Sequence, residues 1–357
     1  MSKKSVWLTV ATMSTMALAL TACSGGDPEP APTPSPVVVA PTIEASKVPA
    51  PTPSIAPPTW PLTGVEGKPV NRAALAVKIE NTNQARPQTG LNEADVVWET
   101  IVEFQVSRYI AVYHSHVPKE VGPIRSVRPT DPIALAPTHG LLAFSGGQRG
   151  ILPLVAKAGL QPLSNDAGTP GMYRTHDRAA PHNVYGDPAT FWKSANAKHQ
   201  DSPGEQFLFA GSADESAAVA GGKAASKLSF HLSAASNPSW TWDADAKKWN
   251  RSEGSTPAMA RDGKRLVAVN VVSIVAPHVD SGFNAQGGAP VPVYKLVGSG
   301  KGVIATGGKS IAVTWKKAAT DKPLRLFLPD GTPALLAPGN TWVELVPKED
   351  GSLTVSP

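Results

Sequence analysis

Proline and glycine punctuate this chain so densely that long helices have no room. There are 36 Pro and 31 Gly among 357 residues. Proline breaks a helix interior and glycine weakens one. What lies between the breaks is mostly short apolar runs, the material of strands and turns rather than of a helical bundle. Hydrophobic residues still make up 41% of the chain, enough for a real core, and the length suits two modest domains.

The breaks are densest between Ser24 and Pro61. The run Pro28-Glu29-Pro30-Ala31-Pro32-Thr33-Pro34-Ser35-Pro36 cannot form helix or inner strand and favours an extended, semi-rigid spacer. Residues 23–61 are therefore expected to give reach. A Pro-rich ligand for a partner domain is the competing reading, and the scarcity of aliphatic and charged residues here speaks against it.

Ahead of the spacer, Lys3-Lys4 precede an apolar stretch from Val6 to Leu20 diluted by Thr and Ser. That stretch is too short and too polar for a stable spanning helix. Leu20-Thr21-Ala22-Cys23 then reads as a lipobox, an aliphatic residue and two small residues before the cysteine. Residues 1–22 are expected to be a lipoprotein signal peptide. Cys23 is expected to be acylated, which makes the lipid bilayer a partner and places the body on the extracytoplasmic face of the cell membrane. Two or three acyl chains anchor firmly, whereas one is marginal. A chance cysteine after an ordinary signal peptide is the alternative.

Cys23 is the single cysteine. The folded body therefore has no internal disulfide, no Cys-ligated zinc and no thiol nucleophile. Loss of Lys3 and Lys4 with the leader takes the formal charge from +5 to about +3, which is not the dense basic face of a nucleic-acid binder. No cofactor or metal motif is legible.

An α+β domain is expected over residues 62–200. Ala73–Glu80 reads as a strand, and Ala94–Val106 with Tyr109–Tyr113 as a hairpin turning at Gln105–Arg108. Residues 132–142 and 151–160 read as short helices. Residues 201–226 read as a connector. From 227 to 357 short strands alternate with turns such as Asp243–Ala246 and Pro329-Asp330-Gly331, which argues a mostly antiparallel β domain.

Several residues invite chemistry. Arg125 and Arg128 flank Ser126 after a Gly122-Pro123 turn, and guanidinium forks suit phosphate or carboxylate. Arg178, His182 and Asn183 lie in a polar, Gly/Pro-rich stretch that reads as a functional loop, with His182 as anion donor or general base. The competing readings are an internal pairing of Arg125 and Arg128 with Glu99, Glu103 or Asp95, and a turn built by Pro181 and Asn183. Glu99 and Glu103 could form an acid/base pair, but on a strand they stand roughly 13 Å apart; pairing with Arg108 or Arg125 is the rival. His114 and His116 have a metal-ligand spacing or mark a solvated strand end. Ser145-Gly146-Gly147 lacks the frame of a serine nucleophile; its glycines would let backbone approach a ligand or the Arg segment. Trp-Lys juxtapositions in the C-terminal half read either as a stacking surface or as core Trp with solvated Lys.

Ala85–Glu99, Val121–Pro129, Gly146-Gly147 and Pro181–Tyr185 resemble signatures of the YerB-like family of bacterial lipoproteins. Trp240–Asp243, Ala268–Val272, Gly298–Lys301, Thr314–Lys317 and Pro338–Trp342 resemble its C-terminal half. The resemblance covers roughly residues 62–347 and implies a domain of unknown function with no established activity. Three functions follow from the residues. The first is an envelope lipoprotein that holds an anionic cell-wall component through Arg125, Ser126, Arg128, Arg178, His182 and Asn183. The second is an envelope enzyme acting on a phosphate- or glycan-containing substrate, with His182, Glu99 or Glu103 as acid/base. The third is a protein–protein adaptor with a salt-bridged Arg pair.

Overall fold

The computed structural model describes residues 57–357. The expected signal peptide, Cys23 and most of the spacer lie outside the described residues. Residues 57–61, expected to be spacer, belong to the folded body: Thr59 bridges to Glu66, and the half-buried Trp60 packs edge-on against His114 at 5.2 Å. An indole that packs edge-on against another ring outweighs the extended preference of its proline neighbours.

A single mixed sheet carries both halves of the chain. We number its main strands β1 (Leu75–Glu80), β2 (Val96–Ile101), β3 (Ser107–Tyr113), β4 (Leu141–Phe144), β5 (Gln161–Ser164), β6 (Asn270–Ala276), β7 (Gly298–Thr306), β8 (Lys309–Lys317), β9 (Arg325–Phe327) and β10 (Thr341–Pro347). Their spatial order is β9-β8-β7-β6-β10-β2-β3-β1-β4-β5. β10, from the C-terminal half, runs parallel to both its neighbours, with Glu99 opposite Glu344 on one side and Ser273 opposite Glu344 on the other. The connector expected at residues 201–226 therefore divides the sequence but not the sheet. It holds a short helix, Ala217–Gly221, and a two-residue strand on β8.

The C-terminal half is mostly antiparallel, as its turns suggest, with β10 the exception. Of its remaining strands, Pro238–Asp243 and Lys248–Glu253 belong to a second, six-stranded sheet, while His278–Asn284 and Pro290–Tyr294 pair as a separate antiparallel ribbon. The hairpin of β2 and β3 forms, but its turn lies at Glu103–Gln105, so Arg108 sits within a strand. The helix expected over 132–142 covers only Thr130–Leu135, followed by a tight turn to Thr138. Pro137 and Gly140 end it, and Leu141–Phe144 is drawn into the sheet beside β1. The second expected helix spans Leu152–Lys157 and stops before Gly159, whose φ is +76°.

Every residue of β1, β2 and β3 is buried, so both faces of the sheet are covered and the polar residues on it need internal partners. Ile79, Tyr109, Glu99 and Glu344 share one face by register. The second sheet closes that face with Trp240 and Arg251. The Arg251 guanidinium lies 2.6 Å from Glu99, 2.7 Å from Glu344 and 2.9 Å from Glu253. It also sits over the rings of Tyr109, Trp240 and Trp342 at 5.4, 5.4 and 4.9 Å. Burial, and then the adjacent Glu99 carboxylate, push the Glu344 carboxyl well above its usual range. Arg86 adds a second guanidinium to the cluster, 3.0 Å from Glu253.

Removing one member of a buried ion cluster strands the others. Arg251→Met is expected to cost about 3–5 kcal/mol, seen as a large drop in the urea midpoint or as failure to fold. A variant within about 1 kcal/mol of the parent would show that the cluster does not hold the sheets together.

Candidate functional site

The opposite face of the sheet carries Lys78, Glu80, Thr100 and Arg108, matched across β1, β2 and β3. Lys78 is wholly buried, 2.7 Å from Asp131 and 3.0 Å from the Thr100 hydroxyl. Burial pushes its ammonium down to about 8 despite Asp131. The segment Arg125–Val127 threads between the ends of β1 and β4: Arg125 N donates to Lys78 O, Ser145 N to Arg125 O and Val127 N to Gly146 O. A Cβ at Gly146 would displace the Asp166 carboxylate, 1.8 Å away, and one at Gly147 would press on the Val127 side chain at 2.8 Å. The glycines thus let backbone approach the Arg segment.

These elements border a cleft of about 740 Å³ lined by Arg125, Ser126, Arg128, Glu103 and His182, together with Glu80, Arg108 and Asp166. Its two sides use carboxylates differently. On one side Glu103, in the turn after β2, receives Arg128 through Nε at 2.6 Å and also through Nη2. Arg108 Nη2 adds a bond to Glu103 at 3.1 Å. Burial raises the Glu103 carboxyl, but the Arg128 hydrogen bond and the charges of both arginines outweigh it and hold it at about 2. Arg128 is spent internally, so the pairing reading describes it better than an open anion fork does.

On the other side, Glu80 is buried and accepts from His182 Nδ1 at 2.9 Å and from Thr82 Oγ1 at 2.9 Å. Its second oxygen faces Arg125 Nε at 3.4 Å. Arg125 otherwise reaches only the Pro181 carbonyl, at 3.4 Å, and its side chain keeps 20% exposure. A carboxylate accepts, so His182 Nδ1 donates to Glu80 and Nε2 is the ring nitrogen not engaged by it. A loop delivers His182: strands Met172–Arg174 and Val184–Gly186 form a hairpin, and Ile124 N donates to Val184 O.

Other expected site residues go elsewhere. Arg178 donates to the carbonyls of Gln84 at 2.6 Å and Pro87 at 2.8 Å, stapling that loop beside the cleft. Asn183 accepts from Arg174 and donates to the Thr175 carbonyl, the turn role weighed against a functional one. Glu99 faces Arg251 on the far side of the sheet, so it forms no acid/base pair with Glu103. His114 is buried, and desolvation with the Arg72 charge lowers it to about 4. Among the described residues, no group of three His, Cys, Asp or Glu is arranged to hold a metal. Trp240, Trp249, Trp315 and Trp342 are core residues, which removes them as a stacking surface. Glu80 and Lys78 were the residues missed. The signal was two charges spaced two apart at the end of an apolar strand, hence on one face.

Glu103 sets an acid limit. Its value lies below the usual 4.5, so its contribution to stability is present above pH 4.5 and is lost as pH falls toward about 2. The stability gap between the parent and Glu103→Gln, read from urea midpoints, is expected to narrow over that window. A constant gap would exclude the Arg128–Glu103 pairing as its source.

Among the described residues no helix is long and apolar enough to cross a membrane. A Bacillus subtilis (strain 168) protein named "Putative lipoprotein YerB" is 27% identical over 307 residues, 82% of this chain and 87% of that protein. The crystal structure of YerB protein from Bacillus subtilis shares the fold, with a TM-score of 0.70 at 23% identity over 83% of this chain and 99% of the solved one. Residues 62–201 match the N-terminal domain, and residues 228–343 the C-terminal domain, of the family described as protein of unknown function (DUF3048). The chain belongs to this DUF3048 family, which is the YerB-like family its motifs resemble.

Proposed function

We propose that this lipoprotein, anchored through Cys23 on the outer face of the cell membrane and held off it by the Pro-rich residues that precede Pro57, binds an anionic group of a cell-envelope component in the Arg125–His182 cleft. The observation that carries this is the half-free Arg125 guanidinium beside Ser126 and His182 at the open side of a large polar cleft. Arg108, Arg125 and Arg128 face Glu80, Glu103 and Asp166 across the lining. That balance suits one phosphate or carboxylate rather than a long polyanion, because extra negative charge would meet Glu80 and Asp166.

Heat titration with inorganic phosphate and pyrophosphate tests this. Arg125→Ala is expected to weaken binding at least tenfold, about 1.4 kcal/mol, with a modest loss of stability. Arg128→Ala is expected to lower stability by about 3–5 kcal/mol. Absence of binding by the parent, or an Arg125→Ala variant that fails to fold, would favour the adaptor reading.

One observation favours a second reading, acid/base chemistry. The Glu80 carboxylate fixes His182 by Nδ1 and leaves Nε2 to the cleft, an arrangement suited to proton transfer. On that reading the chain cleaves a chromogenic phosphodiester, and His182→Ala abolishes turnover while phosphate binding survives. No turnover by the parent would exclude this for phosphodiesters.

A further inference from the structure

The most exposed large apolar side chain among the described residues stands on the rim of this cleft. Phe104, in the turn between β2 and β3, is 65% exposed. Its φ is +60°, and so is that of Gln105. Left-handed backbone is costly for bulky side chains and persists only where surroundings impose it. Here they do. Gln105 O accepts from Ser233 Oγ at 2.5 Å, Ala234 N donates to Gln105 Oε1 at 3.2 Å, and Val102 N donates to Val106 O at 2.9 Å. The same turn points Glu103 inward to Arg128 and Arg108, so its shape is pinned from both ends. The ring it presents outward is in none of the aromatic or cation–π pairs of the described residues.

Phe104 is also a divide. On one side lies the polar cleft with Arg125. On the other lies a groove of about 410 Å³, which Glu103 and Phe104 border in common with the cleft. Val102, Leu232, Val279, Pro290, Pro292 and Pro347 make the groove largely apolar. Its ionisable groups are Asp280 and Asp350 together with Glu103, which faces Arg128 and Arg108, and His278, whose charged form burial disfavours. An anion is therefore repelled from the groove and accepted beyond the ridge, where Arg125 is half free.

We propose that the ligand of the cleft is an anionic amphiphile, with its phosphate or similar head at Arg125 and a hydrocarbon tail that crosses Phe104 into the Val279–Pro292 groove. This rests on the anion reading above and adds the apolar half. Continuity of the two hollows across a single exposed ring, together with the sign of charge in each, sets the orientation.

The test uses the whole chain without its leader and with Cys23→Ser, titrated by heat with methyl phosphate and with octyl phosphate below its micellar concentration. The parent is expected to bind octyl phosphate at least tenfold more tightly than methyl phosphate. Phe104→Gly suits the +60° backbone, so its melting temperature should not fall. It is expected to bring octyl phosphate to within about threefold of methyl phosphate while the methyl phosphate affinity stays unchanged. Arg125→Ala should weaken both esters. If the parent binds the two esters equally, the amphiphile is excluded and the anion site stands. If neither ester binds, both readings fall. A chain-length preference that survives in Phe104→Gly would remove Phe104 and the groove from the site.

Discussion

The Arg251 guanidinium is the interaction on which the rest of the structure depends. It is the charge that lets Glu99 of β2 and Glu344 of β10 face each other inside a protein core. Without it, two buried carboxylates on adjacent parallel strands would repel in a medium that screens poorly. Its aromatic surround of Tyr109, Trp240 and Trp342 supplies quadrupoles where water would otherwise solvate the charge. One side chain from the second sheet thereby fixes the register between N-terminal and C-terminal strands of the first.

The cleft is the complementary case on the opposite face. There too charges are buried in alternation, Lys78 with Asp131 and Arg128 with Glu103, but the series runs to the surface and ends incompletely paired at Arg125. A buried network that stops at a solvent boundary leaves its last member available to something from outside. The difference between the two faces is one of closure: the second sheet seals Arg251, while a hairpin loop and a projecting turn only fringe Arg125.

Much of this was legible in residue order. Short apolar runs marked β1 and β3, the Asp243–Ala246 turn formed as read, and Arg125, Ser126, Glu103 and His182 do meet in one cleft. What was not legible depended on partners far along the chain. Nothing local to Glu99 reveals Arg251, and nothing near Thr341 shows that β10 will run parallel between β2 and β6. Arg128 looked like an anion donor because its carboxylate lay in a turn that sequence reading had assigned to a strand. Arg178 and Asn183 fit a functional loop by composition, yet backbone carbonyls satisfy the first and a turn absorbs the second. Composition identified the right loop and could not say which of its side chains faces outward.

The position of β10 has a consequence for how the chain acquires its structure. Until Thr341–Pro347 arrives, β2 has one unpaired edge and β6 another, and each is an open template for the wrong partner. The nearest strand that can satisfy β2 on that side is more than two hundred residues downstream, so closing the sheet requires a contact of very long sequence separation and is slow for that reason. A chain still being made cannot hide these edges. The N-terminal half therefore reaches its final form only once Thr341–Pro347 has emerged, and the cleft, whose lining runs from Glu80 to Gln286, is completed by residues of both halves rather than by a domain already formed.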